Sequence, residues 1–260
     1  LLNFVWTVGA ISAPELLLLD MDRRSIGVSK ALMILAIMLV PAAFAMPRVQ
    51  VTARQPAKKR PLPAGAMALV VTTGVLIFLY VGIENGVAGW LPTFSSRVHH
   101  FSGRQTAALQ ATFWTALLAG RFGATGILRY VREKRVLTVA VSVALAGTAG
   151  VLAATGNLAL YISVAAVGLG LAPIFPTTIA VLTNSLAGQS GTKLGWMFAA
   201  AGLGGAVLPP CIGALSSFST SLRVGMGLLL AAEASLMIAH LVGSRMASRI
   251  GAPDKLSAGV

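Results

Sequence analysis

Apolar residues run along this chain in long unbroken blocks, and the short intervals between them gather nearly all of the charges. Eight such blocks stand out, over residues 1–19, 30–46, 65–94, 106–127, 136–154, 158–182, 195–216 and 222–243. A hydrocarbon layer about 30 Å thick is crossed by roughly 20 residues of helix, and within it each backbone donor and acceptor must be satisfied by the segment itself. The pattern therefore predicts an all-α polytopic membrane protein with eight transmembrane helices. Alternation with a period of two is absent, which argues against a β-barrel.

Composition supports this class. Of the 260 residues 56% are hydrophobic and only 10% charged, and the mean hydropathy is +0.83, whereas a soluble domain carries about 25% charged residues. The net charge of +13 would suggest a nucleic-acid partner in a soluble protein. Here the basic residues sit in clusters between apolar runs, with no aromatic-interleaved basic stripe, so no nucleic acid is expected. The lone Cys211 excludes an internal disulfide. Neither a nucleophile with a base nor a metal cluster is apparent, so an enzyme is not expected; His99 and His100 read as a solvated loop pair and His240 stands apart. A Gly-rich phosphate loop with its lysine is also missing, which leaves ATP-driven transport unsupported and no cofactor predicted. The chain opens on "LLNFVW", inside an apolar run and without an initiator methionine, and reads as a fragment.

Orientation follows from the loops. Those at 47–64, 128–135, 183–194 and after 243 carry thirteen Lys and Arg; the alternate set at 20–30, 95–105, 155–157 and 217–223 carries six. The positive-inside rule places the first set, and with it the carboxyl terminus, in the cytoplasm. The Pro-rich basic stretch 47–64 is the expected linker between 1–46, with two spans, and 65–243, with six, followed by a tail at 244–260.

Two spans, a basic linker and six more spans resemble a major facilitator superfamily transporter lacking its first four helices. Within that superfamily, "LNFVWTVGAISAPELL" is similar to the fifth helix of fucose-permease-like sugar transporters and "FLYVGIENGVAGWLPTF" to the seventh. "ATFWTALLAGRFGATGIL" is similar to the eighth, "VGLGLAPIFPTTIAVL" to the tenth and "GWMFAAAGLGGAVLPPCIGAL" to the eleventh. The superfamily's signature loop appears only as "GILRYVREKR", with Tyr130 where the family has aspartate.

An ionisable side chain at mid-span costs roughly 2.5–3.5 kcal/mol on insertion scales and is by default a functional candidate. Glu84 is the foremost. At about 100° per residue, Gly82, Gly86 and Gly89 form one stripe, suited to close helix packing, while Tyr80, Glu84 and Leu91 lie opposite. The resemblance implies that Glu84 and Asn85 face the solute path; alternatively, a protonated Glu84 is structural glue between helices. Trp90 is either an interfacial anchor or a stacking surface for solute. Gln110, Trp114, Arg121 and Thr125 recur on one helix face. Arg121 lies about 9 Å from its helix end, so it is either a snorkelling anchor or a gate at the inner mouth. Pro173, Pro176, Pro209 and Pro210 free backbone carbonyls, by ordinary kinks or to line a cavity. Glu15 is expected at the headgroups, and Glu233 stands mid-span with no role legible in the pattern.

The expected function is secondary transport of a small polar solute, foremost a sugar, by alternating access in the cytoplasmic membrane, with Glu84 and Arg121 in coupling or gating and protons as a candidate partner. The alternatives are a carrier of drugs or organic anions, and a non-transporting membrane protein. An anion carrier should present Arg121 without a carboxylate beside it.

Overall fold

The computed structural model of the chain describes Met33, residues 66–185 and residues 190–249. The predicted spans 1–19 and 30–46, the linker at 47–64, Glu15 and most of the tail lie outside the described residues. Spatial contacts divide the chain into Leu1–Arg60 and Pro61–Val260; the helices below belong to the second unit.

Among the described residues seven helices follow one another: α1 Ala66–Val98, α2 Gly103–Ile127, α3 Glu133–Ala153, α4 Asn157–Leu171, α5 Ile174–Ser185, α6 Ser190–Ser219 and α7 Leu222–Arg249. Among the described residues there is no strand. Five stretches of the described residues are long and apolar enough to cross a membrane: Met67–Val98, Glu133–Ala153, Asn157–Thr183, Gly195–Ser219 and Leu222–Met246. They match five of the six spans predicted for 65–243. The sixth, at 106–127, forms the 25-residue helix α2, about 37 Å long, but its polar face leaves it less apolar than the rest.

Local chemistry sets the element boundaries. α1 and α2 are joined by a turn in which His100 takes a left-handed φ of 56°. Ser102 then caps α2 reciprocally: its hydroxyl accepts from the Gln105 backbone N–H at 3.4 Å, while the Gln105 Oε1 accepts from the Ser102 N–H at 2.9 Å. The span Asn157–Thr183 is one membrane crossing broken into α4 and α5 around Pro173, because proline supplies no N–H to continue the ladder.

α1 is flanked by α2, α5, α6 and α7, and α4 lies between α2 and α3. Close approach is obtained with glycine, since interhelical packing in lipid relies on small residues rather than on expulsion of water. A methyl group on Gly82 would lie 2.9 Å from the Gly204 carbonyl oxygen of α6, and one on Gly86 would lie 2.9 Å from Ile212 Cδ1. Two members of the predicted stripe therefore pack as expected. Gly89 does not, having nothing within 4 Å of its missing methyl. At α4, a methyl on Gly168 would meet the Phe113 carbonyl oxygen at 2.5 Å, and Gly147 of α3 is equally tight against the Val167 N–H at 2.7 Å.

Candidate functional site

Opposite the glycine face, α1 presents Tyr80, Glu84 and Leu91, all buried at 1%, 6% and 1% exposure. Helix α2 runs antiparallel alongside: Arg121 meets Tyr80, Gln110 meets Ala88 and Thr106 meets Ser95. The Arg121 Nη2 lies 3.6 Å from Glu84 Oε1 and donates to the Tyr80 hydroxyl at 3.2 Å. A carboxylate, a guanidinium and a phenol thus meet near the middle of α1, with side-chain exposures of 15% for Arg121 and 8% for Glu84. Helical side chains lean towards the amino terminus. On α2 that direction carries the Arg121 head away from the nearer helix end and into the bundle, so the snorkelling anchor is not what the structure contains.

The phenol extends the cluster. Tyr80 packs against Phe175 of α5, ring centroids 5.8 Å apart, and Phe175 against the exposed Phe198 of α6 at 6.5 Å. Phe175 was not among the predicted site residues; its place just after the helix break, inside "PIFP", was its only signal.

The other predicted residues disperse. Asn85 and Glu84 do not look the same way, since neighbours on a helix project about 100° apart. Asn85 is exposed, its Nδ2 donates to the Val81 carbonyl at 2.8 Å, and it stands beside Gly205 of α6. Trp90 is neither a free belt residue nor an open platform: its indole N–H donates to the Pro209 carbonyl at 2.8 Å and its ring covers Gly213. Trp114 is buried with its ring edge-on to Phe113 at 4.9 Å. Thr125, at the exposed end of the stripe, donates to the Phe122 carbonyl in its own helix.

Gln110 has a specific local task. Pro92 lies inside α1 and cannot donate to the carbonyl four residues back, that of Ala88. Gln110 Nε2 donates to that carbonyl at 3.0 Å, while its buried Oε1 keeps no partner.

At the α1–α2 end, His99 is not the solvated residue expected. Its ring lies 5.5 Å from Phe94 and 6.1 Å from Phe101, and Arg223 stacks over Phe94 at 5.8 Å. Burial foremost, then the neighbouring Arg223 and His100 charges, holds the His99 pKa below its ordinary value. Tyr130, standing at the family's aspartate position, is 81% exposed. Between α3 and α7, Thr148 donates to Glu233 Oε1 at 2.8 Å, and His240 lies 3.0 Å from the Thr138 hydroxyl and 3.2 Å from the Lys134 carbonyl oxygen. No group of three or more potential metal ligands occurs among the described residues.

Comparison with known proteins places this bundle. The chain is 32% identical over 149 residues to the glucose/galactose transporter of Brucella abortus in two strains, covering 56% of this chain and 36% of the relative. Its fold is similar to a variant of the E. coli fucose:proton symporter FucP, with TM-score 0.59, 18% identity and coverage of 67% of this chain and 42% of that one. It is likewise similar to a major facilitator transporter FucP in the outward conformation, with TM-score 0.62, 19% identity and coverage of 83% and 54%. The chain therefore spans roughly a third to a half of the lengths of these proteins. Residues 3–209 match the sequence pattern of the Major Facilitator Superfamily, across most of the apolar helices described above, and the chain belongs to that family.

Proposed function

We propose that this protein is a secondary transporter of a sugar, working by alternating access and coupled to protons, with the Glu84–Arg121–Tyr80 cluster as its coupling element. The observation that carries the reading is the buried ion pair between α1 and α2 at 3.6 Å. Charges at mid-membrane are expensive and are kept where they pair and act on a transported ion or solute. Exchange of partners is the chemistry such a cluster offers: protonation of Glu84 removes the attraction that holds Arg121 and leaves the guanidinium on Tyr80. Solute would be met on the exposed side of the bundle, where Asn85 stands.

The curated relatives are named as glucose and galactose carriers and the solved neighbour as a proton symporter, which supports both the substrate class and the coupling ion. The organic-anion alternative is weakened by the carboxylate beside Arg121, which neutralises the charge an anion would need. Because the basic loops outnumber their counterparts thirteen to six, the cytoplasmic membrane with the carboxyl terminus inside is the orientation we adopt.

Uptake of glucose, galactose and fucose into proteoliposomes tests the reading. Glu84→Gln should abolish uptake driven by a pH gradient while sparing counterflow of the same sugar. Unchanged pH-driven uptake would remove the coupling role, and no uptake of any hexose by the wild type would remove the sugar reading.

A further inference from the structure

The second buried acid among the described residues is Glu233, on α7. It is 0% exposed, Thr148 donates to its Oε1 at 2.8 Å, and its Oε2 has no partner. Helix α7 runs antiparallel to α1, since Thr72 meets Gly243 and Gly86 meets Leu229. Glu233, one turn beyond Leu229, is therefore level with Gly82 and at nearly the same depth as Glu84.

The two acids differ in what surrounds them. Glu84 has a guanidinium, whereas Glu233 has a hydroxyl. α7 packs against α1, α3 and α6, and the titratable groups of each can be accounted for. α3 is charged only at its start, at Glu133, Lys134 and Arg135, about 20 Å along the axis from Thr148. On α1, Glu84 and Tyr80 are engaged with Arg121, and Arg97 lies in the last turn. The described side chains of α6 include only Cys211. On α7 itself, Arg223 binds the Leu152 carbonyl at the helix start, His240 is bonded to Thr138 two turns away, and Arg245 and Arg249 lie near the far end. No cation among the described residues reaches Glu233.

An ionised carboxylate in dry surroundings with a single hydroxyl donor and no counter-charge is heavily penalised. A bound proton removes the charge and turns the open Oε2 into a hydroxyl, leaving Oε1 as the acceptor for Thr148. We propose that Glu233 and Thr148 form a proton-binding site in the α3–α7 seam, occupied at neutral pH and separate from the Glu84–Arg121 pair.

Infrared spectroscopy of the purified protein, without sugar, reads the site directly and independently of transport. The chain has only seven acidic residues, which makes the carboxylic-acid C=O stretch assignable. Wild type should show that band at neutral pH. Glu233→Gln should abolish it, Glu84→Gln should leave it, and Thr148→Val should keep it but move it to higher frequency, because the C=O loses its donor. Absence of the band from wild type, its persistence in Glu233→Gln, or an unshifted band in Thr148→Val would each overturn the proposal. Should Glu233→Gln fail to fold, the Thr148→Val shift alone decides.

Discussion

Arg121 and Glu84 each give up hydration to meet inside the bundle, and the balance between that loss and their attraction decides what each substitution does. Removing one member of a buried pair leaves the other uncompensated and typically costs about 3–5 kcal/mol, whereas replacing both is far milder. Arg121→Met should therefore lower the unfolding temperature in detergent more than the Arg121→Met/Glu84→Gln double variant does. Equal losses would mean that the two side chains do not interact. Lysine at position 121 would keep the charge but lose the planar fork that serves Glu84 and Tyr80 together. His99 sets a different test, because its folded pKa lies below the ordinary value near 6.5. For such a group the unfolded chain binds the proton more readily, so stability is full above about pH 6.5 and falls as pH drops towards the folded pKa. Melting curves across that window should show the loss in wild type, and a flatter profile in His99→Gln.

At the scale of elements, backbone continuity and helix contact are linked through Pro92. The freed Ala88 carbonyl is met by Gln110 from the neighbouring helix, so a defect in α1 becomes an attachment point for α2. Gln110→Leu should cost about 1–3 kcal/mol, the penalty for a buried carbonyl left without a donor. In a Pro92→Ala background the helix regains its own N–H and the same substitution should cost clearly less. Denaturant unfolding of the four proteins gives the coupling directly, and additive losses would refute the link. The glycine stripe teaches a related lesson. Periodicity found the face, yet only the crossing of α1 with α6 and α7 made Gly82 and Gly86 tight and left Gly89 open.

For the whole molecule, the basic loops make a statement about sidedness that chemistry can check. Tyr130 is 81% exposed in the loop between α2 and α3, within the basic segment 128–135. Tyr130→Cys, made in a Cys211→Ser background to remove the exposed native thiol, should react with a membrane-impermeant maleimide in inside-out vesicles and not in right-side-out cells. Labelling from outside the cell would reverse the proposed orientation. The hexose-uptake experiment belongs to this scale too, since alternating access is a property of packed helices moving together rather than of any one residue.

By itself the sequence determined that the chain is helical and lives in lipid, because a charged content of 10% cannot clothe a water-soluble surface and blocks of some 20 apolar residues match a bilayer. It also made Glu84 visible, since an acid at the centre of an apolar run is costly wherever it points. Partners were decided only in three dimensions. Which helix lies beside α1, and the tilt of side chains towards the amino terminus, brought Arg121 inward to Glu84 and Tyr80. The 100° between neighbours separated Asn85 from Glu84, and a missing proline N–H claimed Gln110. Glu233 shows the same limit. Its mid-span place follows from the pattern, but its burial, and that no cation among the described residues reaches it, are facts about other helices, which no reading along the sequence contains.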